Sequence, residues 1–291
     1  MSSRKSNSSS QPNVSEKAQL KPDNADTIPS DAKPGSLVVI GTGIRTVGQL
    51  TLEAIAWMQE ADSLLYVVAD PVAEAVIKRL NPTGAVSLAE YYEEGKPRLN
   101  AYNAMVEHIL RCVRAGNKTV VAFYGHPGVF TYPSHESIRR AKSEGFPAWM
   151  LPGISSEDCL FADLGVDPGT WGCQSYEATD FLLNTPHIDP SSQLILWQVG
   201  TVGYWKHKSW QVDLRAMPLL VKRLTQFYPV SHPVTLYEAA TLPGTAPVIV
   251  QIPLHALSKF PITAGMTLYI PPAVTRVPDP EMSRLLSLIK D

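Results

Sequence analysis

The chain has 291 residues, a formal net charge of −2 and a hydrophobic fraction of 44%. That length suits one large domain or two modest ones, and the apolar content is ample for a buried core. The near-neutral balance removes the global electrostatic case for nucleic acid as a partner, leaving only local basic patches, and no apolar run reaches membrane-spanning length; neither partner is expected.

Residues 1–34 are rich in Ser, Asn, Lys, Asp and Pro and nearly lack aromatics. Such a composition cannot offset the entropy of ordering and predicts a disordered tail with no secretory signal. Residues 35–152 alternate between strand-like and helix-like segments. SLVVIG is a β-branched run closing on Gly41, and GTGIRTVGQLTLEAIAWMQEAD reads as a glycine turn running into an amphipathic helix. SLLYVVADP is a second strand, with Asp70 as the cap and Pro71 in the first turn of the next helix. Tyr102, Met105, Ile109, Leu110 and Val113 predict a helix over 99–115, stopped by Gly116. TVVAFYG is a third strand, 134–142 a helix, and AWMLPG a fourth strand. This alternation predicts a mostly parallel α/β half.

From 153 to 272 strands prevail: QLILWQVG, PVTLYEAA, PVIVQIPL and MTLYIPP, with a strong helix near LLVKRLTQFY. The second half is therefore read as mixed α+β, with a ligand site in the cleft between the halves. In the last segment, 273–291, Asp279-Pro280 opens a helix, and Met282, Leu285, Leu286 and Ile289 recur at helical spacing. That pattern predicts an amphipathic helix docked on the body or on a second subunit.

Several stretches carry chemistry. YYEEGKPRLNAY gathers Tyr91, Tyr92, Arg98 and Tyr102 around a Gly-Lys-Pro turn, and periodicity alone also fits a solvated loop with aromatic packing. GTGIRTVG follows a strand where a phosphate-binding loop would sit. Its GxGxxG pattern fails at Thr46, so close backbone approach explains the glycines better than a dinucleotide does. An NAD-binding oxidoreductase using Asp70 is the competing reading of these glycines. YGHPGVF makes a rigid loop at a strand's carboxyl end, and in LPGISSEDCL Ser155 and Asp158 form a capping pair. Cys112, Cys159 and Cys173 are widely spaced, which reads as reduced thiols in a cytoplasmic protein. The seven histidines lack metal-ligand spacing, so no metal is expected.

Taken in order, the strand-GTG turn, YGHPGVF, PGISSEDCL, LWQVG and TLYIPP resemble the tetrapyrrole-methylase superfamily. AEYYEEGKPRLNAY with YGHPGVF and PGISSEDCLFADLG is similar, within it, to the borosin peptide N-methyltransferases. Gly125-His126-Pro127 stands where tetrapyrrole methylases usually carry Gly-Asp-Pro, which favours the peptide branch. The resemblance implies a two-domain tetrapyrrole-methylase-like α/β fold with S-adenosyl-L-methionine (SAM) between the halves. It implies catalytic roles for Arg98, Tyr102 and Tyr124, with Tyr92 lining the peptide path; Ala89 stands where some relatives carry a further tyrosine. Cofactor contacts would come from Gly41, Tyr124, His126, Val129, Phe130, Ser156, Gln198, Ala239, Met266 and Thr267.

The implied chemistry explains the residue types. An amide nitrogen is a poor nucleophile until its proton is leaving, and charge then builds on the carbonyl oxygen. A planar, permanent cation meets that charge, which suits Arg98. A phenol beside a cation can take the proton, which suits Tyr102, while Tyr92 and Tyr124 can donate hydrogen bonds or orient the peptide. LLSLIKD reads as a finishing helix, not as a Val/Ile-rich substrate. The expectation is therefore a stand-alone enzyme acting on a precursor peptide in trans, with a shortened form of a fused enzyme as the alternative and a homodimer implied by the resemblance. Two further readings compete with it: the same fold acting on a tetrapyrrole or another small molecule, and a catalytically silent peptide-binding module.

Overall fold

Residues 37–40 are fully buried, and they alternate between two separate apolar layers. A strand covered on both faces gives that pattern. In the computed structural model, which describes residues 34–92, 97–185, 187–203 and 212–289, they belong to β1 (Ser36–Gly41). The described residues fall in one compact unit, Lys33–Asp291. The predicted tail, apart from Pro34, lies outside the described residues.

The first half is α/β, as expected. β1 joins β2 (Ser63–Val67), β3 (Ala85–Ser87), β4 (Lys118–Phe123) and β5 (Ala148–Met150) in the order β3-β2-β4-β1-β5. Every pair is parallel, so all five carboxyl ends emerge on one edge. The glycine turn after β1 does not run straight into the predicted helix. A single turn, α1 (Thr46–Gln49), breaks at Gly48, whose φ of 108° no helix can continue. Thr51 then starts α2 (Leu52–Gln59) afresh, its hydroxyl accepting from the Ala54 N–H at 3.0 Å. The Asp70 carboxylate accepts from the Ala73 N–H at 2.9 Å and opens α3 (Pro71–Leu80), as predicted. Met58 and Ile77 seat α2 and α3 on one face of the sheet. Met105, Ile109 and Ala141 seat α4 (Arg98–Arg114) and α5 (Tyr132–Ser143) on the other.

In the second half α6 (Ser156–Leu164) carries the predicted capping box: Ser155 Oγ accepts from the Asp158 N–H at 3.2 Å, and Asp158 accepts from the Ser155 N–H at 2.6 Å. The short α7 (Pro168–Trp171), β6 (Cys173–Glu177), α8 (Ala178–Asn184), β7 (Gln193–Trp197), α9 (Met217–Leu224), β8 (Pro233–Glu238), β9 (Val248–Pro253) and β10 (Thr267–Ile270) follow. Their sheet runs β6-β7-β10-β8-β9, with β6 and β7 parallel and the rest antiparallel. Leu160 of α6 packs on Ile195, Trp197, Tyr237 and Tyr269, and Phe181, Leu220 and Leu224 of α8 and α9 cover the opposite face. Burying each such side chain contributes about 1.5–3 kcal/mol, which holds helices too short to persist alone.

The tail helix, α10 (Pro280–Ser287), forms where predicted, with Asp279 accepting from the Met282 N–H at 2.8 Å. Its docking on the body is not observed. No residue of α10 is buried, and 274–279 lead into it exposed throughout. Among the described residues no helix is long and apolar enough to cross a membrane.

Candidate active site

The loops that leave β1, β4 and β5 meet through glycines. A β-carbon at Gly41 would lie 2.3 Å from the Gly125 carbonyl oxygen and 3.0 Å from Gly153 Cα. One at Gly153 would lie 2.8 Å from that same oxygen. Gly125 and Gly43 exchange backbone hydrogen bonds at 2.9 and 3.3 Å. GTG, YGHPG and PGISS are thus one packed unit on the carboxyl edge of the first sheet. Gly41 is buried within it, and its lack of a side chain is what lets the loops close.

That packing displays the 124–130 loop. Tyr124 is 43% exposed, and Val129 and Phe130 are also exposed. Although the side chain is partly exposed, the protein around its hydroxyl desolvates the Tyr124 phenol and raises it above its ordinary range, partly opposed by a hydrogen bond with Ser156 at the start of α6. His126 Nδ1 accepts the Gly128 N–H at 2.9 Å, which leaves Nε2 to carry the proton of the neutral ring. His135 Nε2 lies 2.9 Å from the Gly128 carbonyl, so Gly128 is held at both its backbone N–H and its carbonyl.

The second sheet brings its own residues to the edge. β10 runs antiparallel to β7 and β8, so its beginning lies beside their ends. Gln198 and Ala239, just past β7 and β8, therefore neighbour Met266 and Thr267; the latter two are buried. A β-carbon at Gly200 would lie 2.2 Å from the Thr263 carbonyl oxygen, and Thr263 donates to Glu238 at 2.6 Å, which locks the three turns together. Phe130 and Gln198 are the non-glycine residues with positive φ among those described, at 52° and 59°. Such backbone costs on the order of 1–2 kcal/mol and concentrates at ligand sites. The Phe130 ring meets Trp197 edge-on at 6.4 Å, so both strained residues lie where the two halves touch.

The Tyr/Arg stretch forms a separate group. Tyr92 meets Tyr102 edge-to-face, with centroids 6.2 Å apart. Burial pushes the Tyr92 phenol up to about 12; Tyr102 also raises it, and the Arg98 charge opposes the rise. Tyr92, Arg98 and Tyr102 therefore share one locale, with Arg98 opening α4 and Tyr102 one turn on. A helix's first turn favours anions, so helix stability gives no reason for a cation there. Tyr91 faces elsewhere, its hydroxyl 2.9 Å from His108 Nδ1 on α4. Residues 93–96, the middle of the stretch, lie outside the described residues. Sequence reasoning missed Tyr132. It stacks on Tyr102 at 6.1 Å and 26°, and only its place after YGHPGVF hinted at it.

The buried phenols have a consequence at alkaline pH. Unfolded tyrosine ionises near pH 10. Tyr92 and Tyr269 are held at about 12 by burial, and Tyr228 and Tyr237 are raised further. The stability these groups contribute is complete below about pH 10 and is lost as pH rises toward their folded values. Urea midpoints should fall steadily above pH 10, tracked by tyrosinate absorbance; a flat profile would contradict this burial.

The dinucleotide reading loses ground here. α1 is too short and too broken to cradle phosphates, and the Asp70 carboxylate is engaged as a cap. A cavity of about 440 Å³ between α8 and α9 is lined by none of the candidate residues. No cluster of metal-ligating side chains occurs among the described residues.

Comparison with known proteins agrees with this architecture. The chain is 43% identical over 264 residues to the methyltransferase/ribosomally synthesized cyclic peptide omphalotin A precursor of Omphalotus olearius, covering 89% of this chain and 63% of that one. It is 42% identical, with the same coverage, to the corresponding dendrothelin A precursor of Dendrothele bispora. The chain thus spans less than two thirds of the length of these relatives. A uroporphyrin-III C-methyltransferase from Thermus thermophilus, solved with S-adenyl homocysteine, shares the fold at a TM-score of 0.56 and 19% identity, over 81% of this chain and 92% of that one. The family described as Tetrapyrrole (Corrin/Porphyrin) Methylases matches residues 36–254, and the chain belongs to that family.

Proposed function

We propose that the chain is a SAM-dependent methyltransferase acting on backbone amide nitrogens of a ribosomally made peptide. The grouping of Tyr92, Arg98 and Tyr102, joined to the end of the 124–131 loop through the stack of Tyr102 on Tyr132, carries this reading. The names of the relatives, which join a methyltransferase to a cyclic-peptide precursor, support the substrate class.

The residues at the edge fit a nucleoside sulfonium. Phe130 and Gln198 hold strained backbone there, Tyr124 and Ser156 offer hydroxyls, and Val129 and Met266 offer apolar contact. Gly41 acts by letting the loops close, and His126, Ala239 and Thr267 complete the set. When bound, SAM supplies a methyl already activated by its positive sulfur, so the chain itself has to prepare only the nitrogen. Arg98 bonds the peptide carbonyl and stabilises the charge that grows on its oxygen. Tyr102 relays the N–H proton: its oxygen accepts the proton leaving the amide as its own hydroxyl proton passes to water, so the phenol ends neutral. Tyr92, held protonated by burial, donates a hydrogen bond and does not act as the base. Tyr124 orients the acceptor. Alignment of nitrogen and methyl supplies much of the remaining acceleration.

The reading extends to a precursor carried on a separate chain, to a homodimer, in keeping with the exposed apolar residues of α10, and to a cytoplasmic location. Incubation with SAM and an apolar Val/Ile-rich peptide should add methyl mass increments to the peptide. Methyl transfer to uroporphyrinogen and not to peptide would overturn the substrate class, increments on the enzyme chain alone would overturn action in trans, and sedimentation tests the dimer.

A further inference from the structure

Tyr132 opens α5 directly after the loop that carries Tyr124, His126, Val129 and Phe130. It is 41% exposed, so core packing does not account for a large aromatic ring there. Its ring lies over that of Tyr102, with centroids 6.1 Å apart and planes 26° apart. Tyr92 meets the same Tyr102 ring edge-on at 6.2 Å and 83°. Tyr102 is therefore held between one face and one edge, and aromatic pairs of both kinds are attractive and directional.

The backbone couples this contact to the loop. Phe130 turns the chain at a φ of 52°, and Pro133 is buried in the first turn of α5. The Ser134 N–H donates to the Thr131 carbonyl at 3.1 Å, and His135 reaches back to the Gly128 carbonyl at 2.9 Å. These bonds tie residues 128–131 to the start of α5, which carries the Tyr132 ring. The Tyr132 hydroxyl meets Asn103 Oδ1 only at 3.4 Å, a long bond, so the ring is what matters.

We propose that Tyr132 is a positioning residue that sets the Tyr102 ring against the 124–131 loop, and so aligns the proton acceptor with the methyl donor. The proposal rests on the methyl-transfer reading above. Small misplacements of reacting groups are costly, up to ~10²-fold for about 1 Å. Tyr132→Ala should lower kcat by at least about ten-fold, with the peptide KM changed less than about two-fold. Tyr132→Phe, which keeps the ring, should turn over like the wild type.

A second readout does not depend on turnover. The ring-carbon NMR signal of Tyr102, assigned through Tyr102→Phe, should shift in Tyr132→Ala and stay in place in Tyr132→Phe. An unmoved signal in Tyr132→Ala, a wild-type kcat in that variant, or equal damage from the Phe and Ala variants would each overturn the proposal. A wild-type protein that methylates no peptide would instead remove the reading beneath it, and the NMR shift would still decide whether Tyr132 sets Tyr102.

Discussion

Arg98→Ala is expected to lower peptide methylation by about 10²–10³-fold while leaving SAM affinity and thermal stability close to wild type. The size follows from removing a charged donor aimed at an oxygen that becomes negative only as the amide loses its proton. Such a donor stabilises the transition state more than the bound peptide, so the loss belongs in kcat. The fold should tolerate the change. Arg98 is only half-buried, it opens α4 without being part of either apolar layer, and a cation in a helix's first turn does little for the helix. Arg98→Lys should recover only part of the rate, because a point charge lacks the planar fork. Single-turnover methylation read by mass, together with calorimetric SAM titration, measures both sides. Full activity in Arg98→Ala would remove Arg98 from the chemistry, whereas parallel loss of SAM binding would relocate it to the cofactor site.

Gly41→Ala should do the reverse, damaging the scaffold first and turnover as a result. The new methyl would sit 2.3 Å from the Gly125 oxygen and 2.7 Å from Pro127 Cδ, and neither belongs to a flexible chain end. Gly125 cannot retreat freely, because two hydrogen bonds tie it to Gly43. Overpacking of this kind costs about 1–3 kcal/mol, and the strain falls on the loop bearing Tyr124, His126 and Phe130. The expected signature is a lower melting temperature together with weaker SAM binding. Gly169→Ala is the control: its nearest neighbour is a side-chain oxygen of Asp167 at 3.1 Å, and the change should stay within about 0.5 kcal/mol. Wild-type stability and SAM affinity in Gly41→Ala would mean that the loops do not close as described.

The two substitutions therefore part chemistry from scaffold, and the same division marks how much of the molecule could be read from the chain. Strands β1, β4 and β7 announced themselves because full burial on both faces demands unbroken apolar runs. The caps at Asp70, Ser155 and Asp279 were equally plain, since orphaned N–H groups at a helix start need a short polar side chain at one position. β6, by contrast, is CQSYE, with no alternation of its own. It is a strand because β7 pairs with it, and that information lies in β7 and in the tertiary arrangement. The break ahead of α2 was not legible, because apolar periodicity says nothing of the backbone at Gly48. Whether α10 docks on the body or on a second subunit was left open by its amphipathicity, which shows that a helix has a side to bury but not what buries it; within the chain the body does not bury it.

By itself, then, the sequence determined the α/β first half, the mixed second half and the capped helices. All of these depend on interactions between residues near one another along the chain, or on the simple need to bury an apolar side. Only the tertiary structure decided that Gly41, Gly125 and Gly153 touch, that Tyr92 and Tyr102 meet while Tyr91 turns to His108, and that Tyr132 covers Tyr102. It also set Phe130 against Trp197, next to the strained Gln198. Those contacts join residues far apart in sequence. Loop closure and the packing of two sheets bring them together, and no local pattern along the chain encodes either.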